Sequence, residues 1–509
     1  MHVAALPLPT YNQVTKHNLA QFQPVIVQLL KQAAFIALDA EFTGLGSRSE
    51  TTRAKDVQER YQHLCELAKT HALVAFGLAI FIRTEPVAKK DSDSDVDMEG
   101  KPPRASENER AFRVHNFNFS MLIEKDYMVS PRSMLFLAEN GLDLNQWIME
   151  GIPYTGGDRL ANEGGRGNPN GIMRSIFKRI MTRQVPVVVH NGFLDLIFLY
   201  QSFYADLPPK LATFVADLSD MFPGGLFDTK FISDYITRER SSFLAYLFRK
   251  YEREDLRLKA EDGNDASAAQ GPSGLRIFST FDIQPRIALP ATADPEAVKT
   301  FEAESTSGVR FCEDYAYHGV CKKNMRCGKS HNLDLILDAE EQQRDSKRRK
   351  RQKKSLAAET TTMDDNPDAG TTTANGGSDQ EHSTEALASS LAAPSASTPL
   401  DDHANASVAT GAPSQPSTTA TATATTATAT IMNTRAAENV VQPGEKFHSA
   451  YYDAFMTGTI FAHQLNQHKP EEIEAQAKNK IYLIGKSFPL MVEKSAFAKF
   501  SPGHEGQRG

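Results

Sequence analysis

Short apolar runs and amphipathic segments alternate along the first half of the chain. Residues 34–38 form an unbroken apolar run that ends at Asp39, and a second run covers residues 72–82. Unbroken runs of this length are typical of strands buried on both faces. Between them, apolar residues three or four positions apart predict a helix over residues 53–70. A β-like segment is expected at residues 112–119.

The alternation resumes after a glycine-rich loop at residues 155–171. An amphipathic pattern predicts a helix over residues 172–183, and the apolar run at 185–189 predicts another strand. An apolar helix is expected over residues 193–203. Buried strands that alternate with helices in this way indicate an α/β domain.

The second half of the chain changes character. The pattern weakens into loops after residue 255, and Ala, Thr, Ser, Asp and Gly dominate residues 341–440. This stretch has too little apolar area to offset the entropy cost of ordering, so it is predicted to be disordered. A helix over about 446–468 follows, then a strand pair, or a strand and a turn, over 481–492. Closing a flexible loop costs only about 0.6 kcal/mol per doubling of its length, so both ends can belong to one domain.

The net charge of −7 conceals an uneven distribution. Residues 91–99 are acidic, whereas residues 347–354 contain seven basic residues. The N-terminal residues do not show the pattern of a secretory signal. The longest apolar stretch is shorter than the about 20 residues that cross a bilayer. We therefore expect a soluble intracellular chain that does not contact a membrane.

Carboxylates follow two of the predicted buried strands. Side chains alternate along a strand, so Asp39 and Glu41 point to the same face. Asp195 lies in the apolar helix after the 185–189 strand, where an isolated charge requires a partner or a metal. Taken singly, each of these residues also fits a solvated strand end or a helix surface.

His448 and Asp453 form a third element. Five positions apart, they diverge on one helix, but they converge if His448 lies on the loop before the helix and Asp453 inside it. Four carboxylates at one edge of a sheet repel each other unless divalent cations neutralise them, and oxygen ligands suit Mg²⁺ or Mn²⁺. Two such ions support in-line phosphoryl displacement. His448 then suits a general base for the attacking water.

Four segments carry a family resemblance: residues 35–44, 190–195, 227–230 and the pair His448-x4-Asp453. They resemble the motifs of DEDD 3′→5′ exonucleases and, more narrowly, of the PARN-like poly(A)-specific ribonucleases. Ser449 stands where the Tyr subclass has tyrosine, so the resemblance implies the His subclass.

The resemblance implies an α/β, RNase H-like fold with a mixed central sheet, two Mg²⁺ ions (or Mn²⁺), and release of 5′-AMP from a 3′ end. It implies five catalytic residues, of which the four carboxylates are the metal ligands and the histidine is the base: Asp39, Glu41, Asp195, Asp453 and His448. It also implies four substrate contacts, for which core packing or a structural salt bridge remains the alternative: Phe42, Leu45, Asn191 and Lys230.

A cysteine cluster separates the two halves of the predicted nuclease. Cys312-x8-Cys321-x5-Cys327-x3-His331 matches a CCCH zinc finger, whose four protein ligands leave no position for water, so the predicted Zn²⁺ is structural. Nearby aromatic and basic side chains suit single-stranded RNA, and docking of a protein is the alternative. They are Phe311, Tyr315, Tyr317, Lys322, Lys323, Arg326 and Lys329. The predicted organisation is a nuclease domain at 12–290 and 446–495, a finger at 305–335 and a disordered insertion at 341–440.

The basic block at 347–354 suits a nuclear import signal or an RNA clamp, with a solvated linker as the alternative. The finger and this block resemble one nuclear branch of the family. That resemblance implies a nuclear location, in the nucleolus or Cajal bodies, and small nuclear or other non-coding RNAs with a 3′ oligo(A) tail as substrates. A homodimer and nuclear RNA-processing partners are compatible with it.

Two other functions fit parts of the sequence. An RNA-binding adaptor would combine the finger with an inactive nuclease domain, but inactive nucleases usually lose an acidic ligand and none is missing here. A DNA-directed proofreading exonuclease would share the fold, but the CCCH finger argues against DNA. A metal-dependent 3′→5′ exoribonuclease that removes 3′ adenosines is therefore the leading hypothesis.

Overall fold

The computed structural model describes residues 11–52, 54–84, 111–157, 168–262, 276–280, 310–323, 326–361 and 449–508. Several predictions lie outside these residues. They concern the acidic stretch at 91–99, the centre of the glycine-rich loop, the region predicted to be disordered beyond residue 361, and His448.

Ten strands among the described residues form the sheet. They are β1 Asn12–Val14, β2 Phe35–Phe42, β3 Leu73–Thr84, β4 Ala111–Ile123, β5 Ile152–Tyr154, β6 Val187–Val189, β7 Leu226–Asp228, β8 Arg276–Thr280, β9 Lys480–Ile481 and β10 Leu490–Met491. The main path is β1-β4-β3-β2-β6-β7-β9-β10, and β5 and β8 each pair with β4. Strand β2 is antiparallel to β3 and parallel to β6, which confirms a mixed central sheet.

Helices cover both faces of this sheet. They are α1 Leu19–Gln32, α2 Arg48–Thr51, α3 Val57–Thr70, α4 Pro131–Glu139, α5 Leu144–Glu150, α6 Pro169–Met181, α7 Phe193–Phe203, α8 Leu211–Met221, α9 Thr229–Phe231, α10 Leu244–Asp262, α11 Glu313–His318, α12 Leu333–Thr361, α13 Ala450–Gln467, α14 Pro470–Ala477 and α15 Pro502–Arg508. A π-helical turn, Ile232–Ile236, follows α9. Within the described part of the chain, no helix is both long and apolar enough to cross a membrane.

The two faces of β2 enter different cores because side chains alternate along a strand. Ile36 and Leu38 belong to the core that α1, α3, α6, α7 and α8 cover. Phe35 and Ala37 belong to the core that α10 and α13 cover. Asp39 and Glu41 continue the second series, so the two carboxylates lie on the side of the sheet where α13 packs.

Most of the predicted elements are present with shifted ends. The helix at 193–203 and the strand pair within 481–492 are confirmed. Two expectations are wrong. Residues 255–262 continue helix α10 rather than forming a loop, and α12 extends through residues 341–361, the start of the region predicted to be disordered. This part of α12 is rich in Lys, Arg, Glu, Gln and Ala, which have high helix propensity.

The chain divides into two compact units. The first comprises residues 1–344 and 439–509, so polypeptide from both sides of the insertion folds together. The second comprises residues 345–438, of which the structure describes the helical residues 345–361. The sheet, the helices around it and the cysteine cluster all belong to the first unit.

Candidate active site

Three carboxylates converge on one face of the sheet. Asp39 and Glu41 project from β2, and Asp453 projects from the first turn of α13. One carboxylate oxygen of each of the three lies within 4.8 Å of the other two. Asp453 is only 7% exposed, and Asp39 and Glu41 are half-buried. Residues more than 400 positions apart in sequence therefore share one acidic pocket.

Asp195 approaches this pocket from the opposite face of the sheet. It lies in the first turn of α7, whose neighbouring residues Leu196 and Phe198 belong to the other core. The backbone N–H of Ala40 lowers the pKa of its carboxylate, which places Asp195 near β2. Burial raises the pKa of Asp195 to about 7, with Asp228 and Asp453 contributing. The charge of Asp195 thus acts on the carboxylates of the pocket, but Asp195 is not one of the three that lie within 4.8 Å of each other.

The pocket favours protons or cations. Burial raises the pKa of Asp39 well above its usual range, and the charges of Asp453, Asp195 and Glu41 raise it further. Burial likewise raises the pKa of Glu41, again with Asp453 and Asp195 contributing. Carboxylates held this close repel each other, and a cation beside them stabilises the anionic forms. The donor set, all oxygen, fits Mg²⁺ or Mn²⁺.

Helix α13 reaches the pocket because β3 has a glycine beside Asp39. Gly77 is paired with Asp39 across the β2–β3 ladder. A Cβ at Gly77 would lie 1.9 Å from the carbonyl oxygen of Ala450 and 2.7 Å from the backbone nitrogen of Tyr451. A glycine within a strand often marks such a close backbone approach. The first turn of α13, and with it Asp453, depends on the absence of a side chain here.

We therefore expect Gly77→Ala to inactivate the site. The new methyl group must displace the start of α13, and a shift of about 1 Å in a catalytic group costs on the order of 100-fold in rate. The measurement is the RNA cleavage rate together with the melting temperature. Gly506→Ala is the control, because a Cβ at Gly506 meets no atom within 4 Å. Full activity in Gly77→Ala would show that α13 does not depend on this contact.

The four predicted substrate contacts lie in different environments. The ring of Phe42 is buried against Phe198, with ring centroids 4.0 Å apart, whereas Leu45 is 56% exposed. Asn191 is half-buried in the left-handed region at φ 56°. The Nζ of Lys230 donates to the Ser242 hydroxyl at 2.6 Å and lies 4.9 Å from the ring centroid of Tyr482. The Phe42 side chain is thus part of the core, and the other three remain candidates for contact.

The cysteine cluster forms a second site. One ligand atom from each of Cys312, Cys321, Cys327 and His331 lies within 4.8 Å of the other three. The Nε2 atom of His331 is buried and has no hydrogen-bond partner among the residues that the structure describes. A buried imidazole nitrogen without a partner costs free energy unless it binds a metal. Three thiols and this nitrogen match the ligands of a structural zinc site.

The finger packs directly on the nuclease. Ala316, Ile336 and Leu337 share a buried cluster with Tyr246 of α10 and Tyr452 of α13. Ion pairs border this contact, including two bonds from Arg249 to Asp334, at 2.8 and 3.0 Å. The cysteine cluster is therefore not a freely tethered module.

This packing corrects the expectation for the aromatic side chains of the finger. The Tyr315 ring stacks on His331 at 4.5 Å and meets the edge of Phe243 at 5.7 Å. Phe311 also packs against the nuclease core, so neither ring is a free stacking face for RNA. Tyr317 is 45% exposed, but Arg240 lies over its ring at 5.2 Å. The basic residues that remain exposed are Lys322, Lys323, Arg326 and Lys329.

Two residues of the site have no role in the sequence-based hypothesis. Gly77 is hidden within an apolar run, and its only signal is that it is a glycine inside a strand. Asp228 is fully buried at the end of β7, and its charge acts on both Asp195 and Lys230. The sequence feature that could have pointed to Asp228 is a charged residue directly after an apolar pair, within the 227–230 motif.

Comparison with known proteins gives partial matches to curated relatives. The chain is 27% identical over 154 residues to the poly(A)-specific ribonuclease PARN of Danio rerio, covering 28% of this chain and 20% of the relative. It is 36% identical over 64 residues to the pre-piRNA 3′-exonuclease trimmer of Bombyx mori, covering 13% of this chain and 12% of the relative. The matched segments thus span a fifth or less of these relatives.

Among solved structures, the chain aligns in part with Pop2p from S. pombe in its Mg²⁺- and Mn²⁺-bound form. The TM-score is 0.34 at 19% identity, covering 47% of this chain and 81% of that one. The family model of the CAF1 family ribonucleases matches residues 14–166 and 162–461. These ranges cover most of the 509 residues, including the segments that contain Asp39, Glu41, Asp195 and Asp453. The chain belongs to the CAF1 family of ribonucleases.

Proposed function

We propose that this protein is a divalent-metal-dependent 3′→5′ exoribonuclease that removes 3′ adenosines from RNA and releases 5′-AMP. The convergence of Asp39, Glu41 and Asp453 within 4.8 Å, in a member of a ribonuclease family, carries the proposal. The names of the relatives from Danio rerio and Bombyx mori describe poly(A)-specific and 3′-exonuclease activities, which support the same direction and chemistry.

The residues of the pocket are proposed to have two different roles, cation binding and proton acceptance. Asp39, Glu41, Asp195 and Asp453 would hold the cations, which supply charge neutralisation and an activated water for phosphoryl displacement. His448, five positions before Asp453, lies outside the described residues. It is proposed to accept the proton from that water. Ser449 is the N-cap of α13, so the chain enters the helix beside the pocket directly after His448.

The pocket also has a candidate wall for the terminal nucleotide. We assign Leu45, Asn191 and Lys230 to substrate contact, and Phe42 to the support of this wall from the core. Lys230 is a cation near Asp228, and a cation suits a phosphate oxygen of the RNA backbone. Its hydrogen bond to Ser242 and its contact with Tyr482 hold the ammonium in place.

The finger is proposed to bind one structural Zn²⁺ and to extend the RNA-binding surface through its exposed cations. Lys322, Lys323, Arg326 and Lys329 suit phosphate contacts, which do not discriminate between sequences. The helical basic block at 347–354 is proposed to direct the protein to the nucleus. Small nuclear or other non-coding RNAs with a 3′ oligo(A) tail are the proposed substrates.

A single assay tests the activity. RNAs of equal length, labelled at the 5′ end and ending in oligo(A), oligo(U) or oligo(C), and a DNA oligomer of the same length ending in oligo(dA), are incubated with purified protein and Mg²⁺ or Mn²⁺. A ladder that shortens by single nucleotides from the 3′ end, fastest for oligo(A) and absent with EDTA, is the expected result. Binding of RNA without shortening would instead favour an adaptor with an inactive nuclease, and equal cleavage of DNA would contradict the RNA assignment.

A further inference from the structure

A single buried carboxylate connects three segments beside the acidic pocket. Asp228, at the end of β7, is fully buried. Its Oδ1 accepts from the backbone N–H groups of Asn191 at 2.9 Å, Lys230 at 3.0 Å and Phe231 at 3.4 Å. Its Oδ2 accepts from those of Gly192 at 3.3 Å and Tyr482 at 3.0 Å. Five main-chain donors thus converge on one side chain.

These donors come from the segments that carry the proposed substrate contacts. The Asn191–Gly192 turn precedes α7, the Lys230 segment follows β7, and Tyr482 follows β9. The backbone of Asn191 is in the left-handed region at φ 56°, a conformation that requires support from its surroundings. Asp228 provides that support through the Asn191 N–H. It also anchors both members of the Lys230–Tyr482 contact by their backbones.

We propose that Asp228 is a positioning residue that fixes Asn191 and Lys230 for RNA binding, an inference that rests on the proposed function. The carboxylate accepts hydrogen bonds without providing a donor, which is what five converging N–H groups require. Charge-assisted bonds of this kind are stronger than neutral ones, so they hold the turn against motion. Helix α7, in contrast, is held by its own buried residues Leu196, Ile197 and Phe198, so Asp195 depends less on Asp228.

The test is Asp228→Asn, which keeps the shape of the side chain. It replaces one acceptor oxygen with an amide NH₂ group, a donor that cannot accept from the converging N–H groups. The matched control is Asp217→Asn. Asp217 is equally buried and accepts from the Tyr200 hydroxyl at 2.8 Å and the Ser501 N–H at 3.0 Å, neither of which belongs to the site. We expect both variants to lose thermal stability, but only Asp228→Asn to raise KM for oligo(A) RNA, by about tenfold, with kcat changed less than KM.

Binding of the same RNA, measured by fluorescence anisotropy with Ca²⁺ in place of Mg²⁺, gives a readout without turnover. We expect it to weaken in Asp228→Asn and not in Asp217→Asn. If Asp228→Asn does not fold, Asp228→Ser, whose hydroxyl accepts from the N–H groups without placing an amide among them, replaces it. An unchanged KM and affinity, or an equal change in Asp217→Asn, would overturn the role of Asp228. Inactive wild-type protein that still shows the binding difference would refute the proposed function but not this inference.

Discussion

Asp39→Asn is expected to abolish the metal-dependent shortening of RNA, with a loss of more than about 100-fold, because even groups that only support a metal ligand cost 10–100-fold when removed. Asp39 is one of the three convergent carboxylates, and its neighbours Asp453, Asp195 and Glu41 all raise its pKa. The substitution preserves shape and removes one negative charge. It therefore weakens the attraction for a divalent cation without disturbing the packing of β2.

The melting temperature separates this effect from misfolding. Mg²⁺ or Mn²⁺ should raise the melting temperature of the wild-type protein, because a ligand that binds only the folded state stabilises it. The same ions should have a much smaller effect on Asp39→Asn. In metal-free buffer the variant should be at least as stable as the wild type, since one source of like-charge repulsion is gone. Residual activity close to that of wild type would remove Asp39 from the list of metal ligands.

Loss of the proposed zinc site should destabilise the nuclease domain as well as the residues around the cysteine cluster. Cys321→Ser removes one of the four clustered ligands, and structural zinc contributes about 10–16 kcal/mol of apparent binding free energy in small fingers. The finger shares a buried cluster with α10 and α13 through Ala316 and Tyr452. Even a fraction of this energy should lower the melting temperature by more than about 4 °C. Zinc content should fall from one atom per chain to none.

Cys65→Ser is the matched control for this experiment. Cys65 is buried in helix α3, on the other side of the sheet and outside the cysteine cluster. The control should retain its zinc, and protease should not cut it within residues 310–331. Cleavage at that site is expected in Cys321→Ser, because Tyr315 and His331 lose the arrangement that stacks their rings. A Cys321→Ser protein with wild-type stability would show that the finger contributes nothing to the nuclease fold.

The carboxylates of the acidic pocket could be anticipated because each follows a local sequence pattern. Asp39 and Glu41 follow an apolar run with the alternation of a strand, and Asp195 interrupts an apolar helix. The structure brings Asp453 to the first pair, as the sequence-based hypothesis required, but Asp195 reaches the pocket from the opposite layer. That difference follows from the side of the sheet on which α7 packs, which the periodicity of a helix does not reveal.

For the finger, the sequence predicts the metal ligands but not the surroundings of its aromatic side chains. The spacing of its ligands predicts the cluster, but the aromatic residues near those ligands, Phe311 and Tyr315, were expected to be exposed stacking faces. Their rings pack against Phe243 and the nuclease core. Similarly, the composition of residues 341–361 indicated disorder, whereas they extend helix α12. A composition poor in apolar residues indicates that a segment cannot bury a face. It does not exclude a helix, because residues of high helix propensity can form one without a buried face.

The sequence by itself determined the α/β class, the carboxylate pattern and the ligand spacing of the cysteine cluster, because these depend on periodicity and chemistry within short segments. Only the tertiary structure decided the rest. Gly77 matters because the backbone of Ala450, more than 370 positions later, lies against it, and Asp228 matters because donors from three segments meet there. Such roles arise from contacts between distant parts of the chain, so a glycine inside a strand or a charge after an apolar pair does not by itself reveal them.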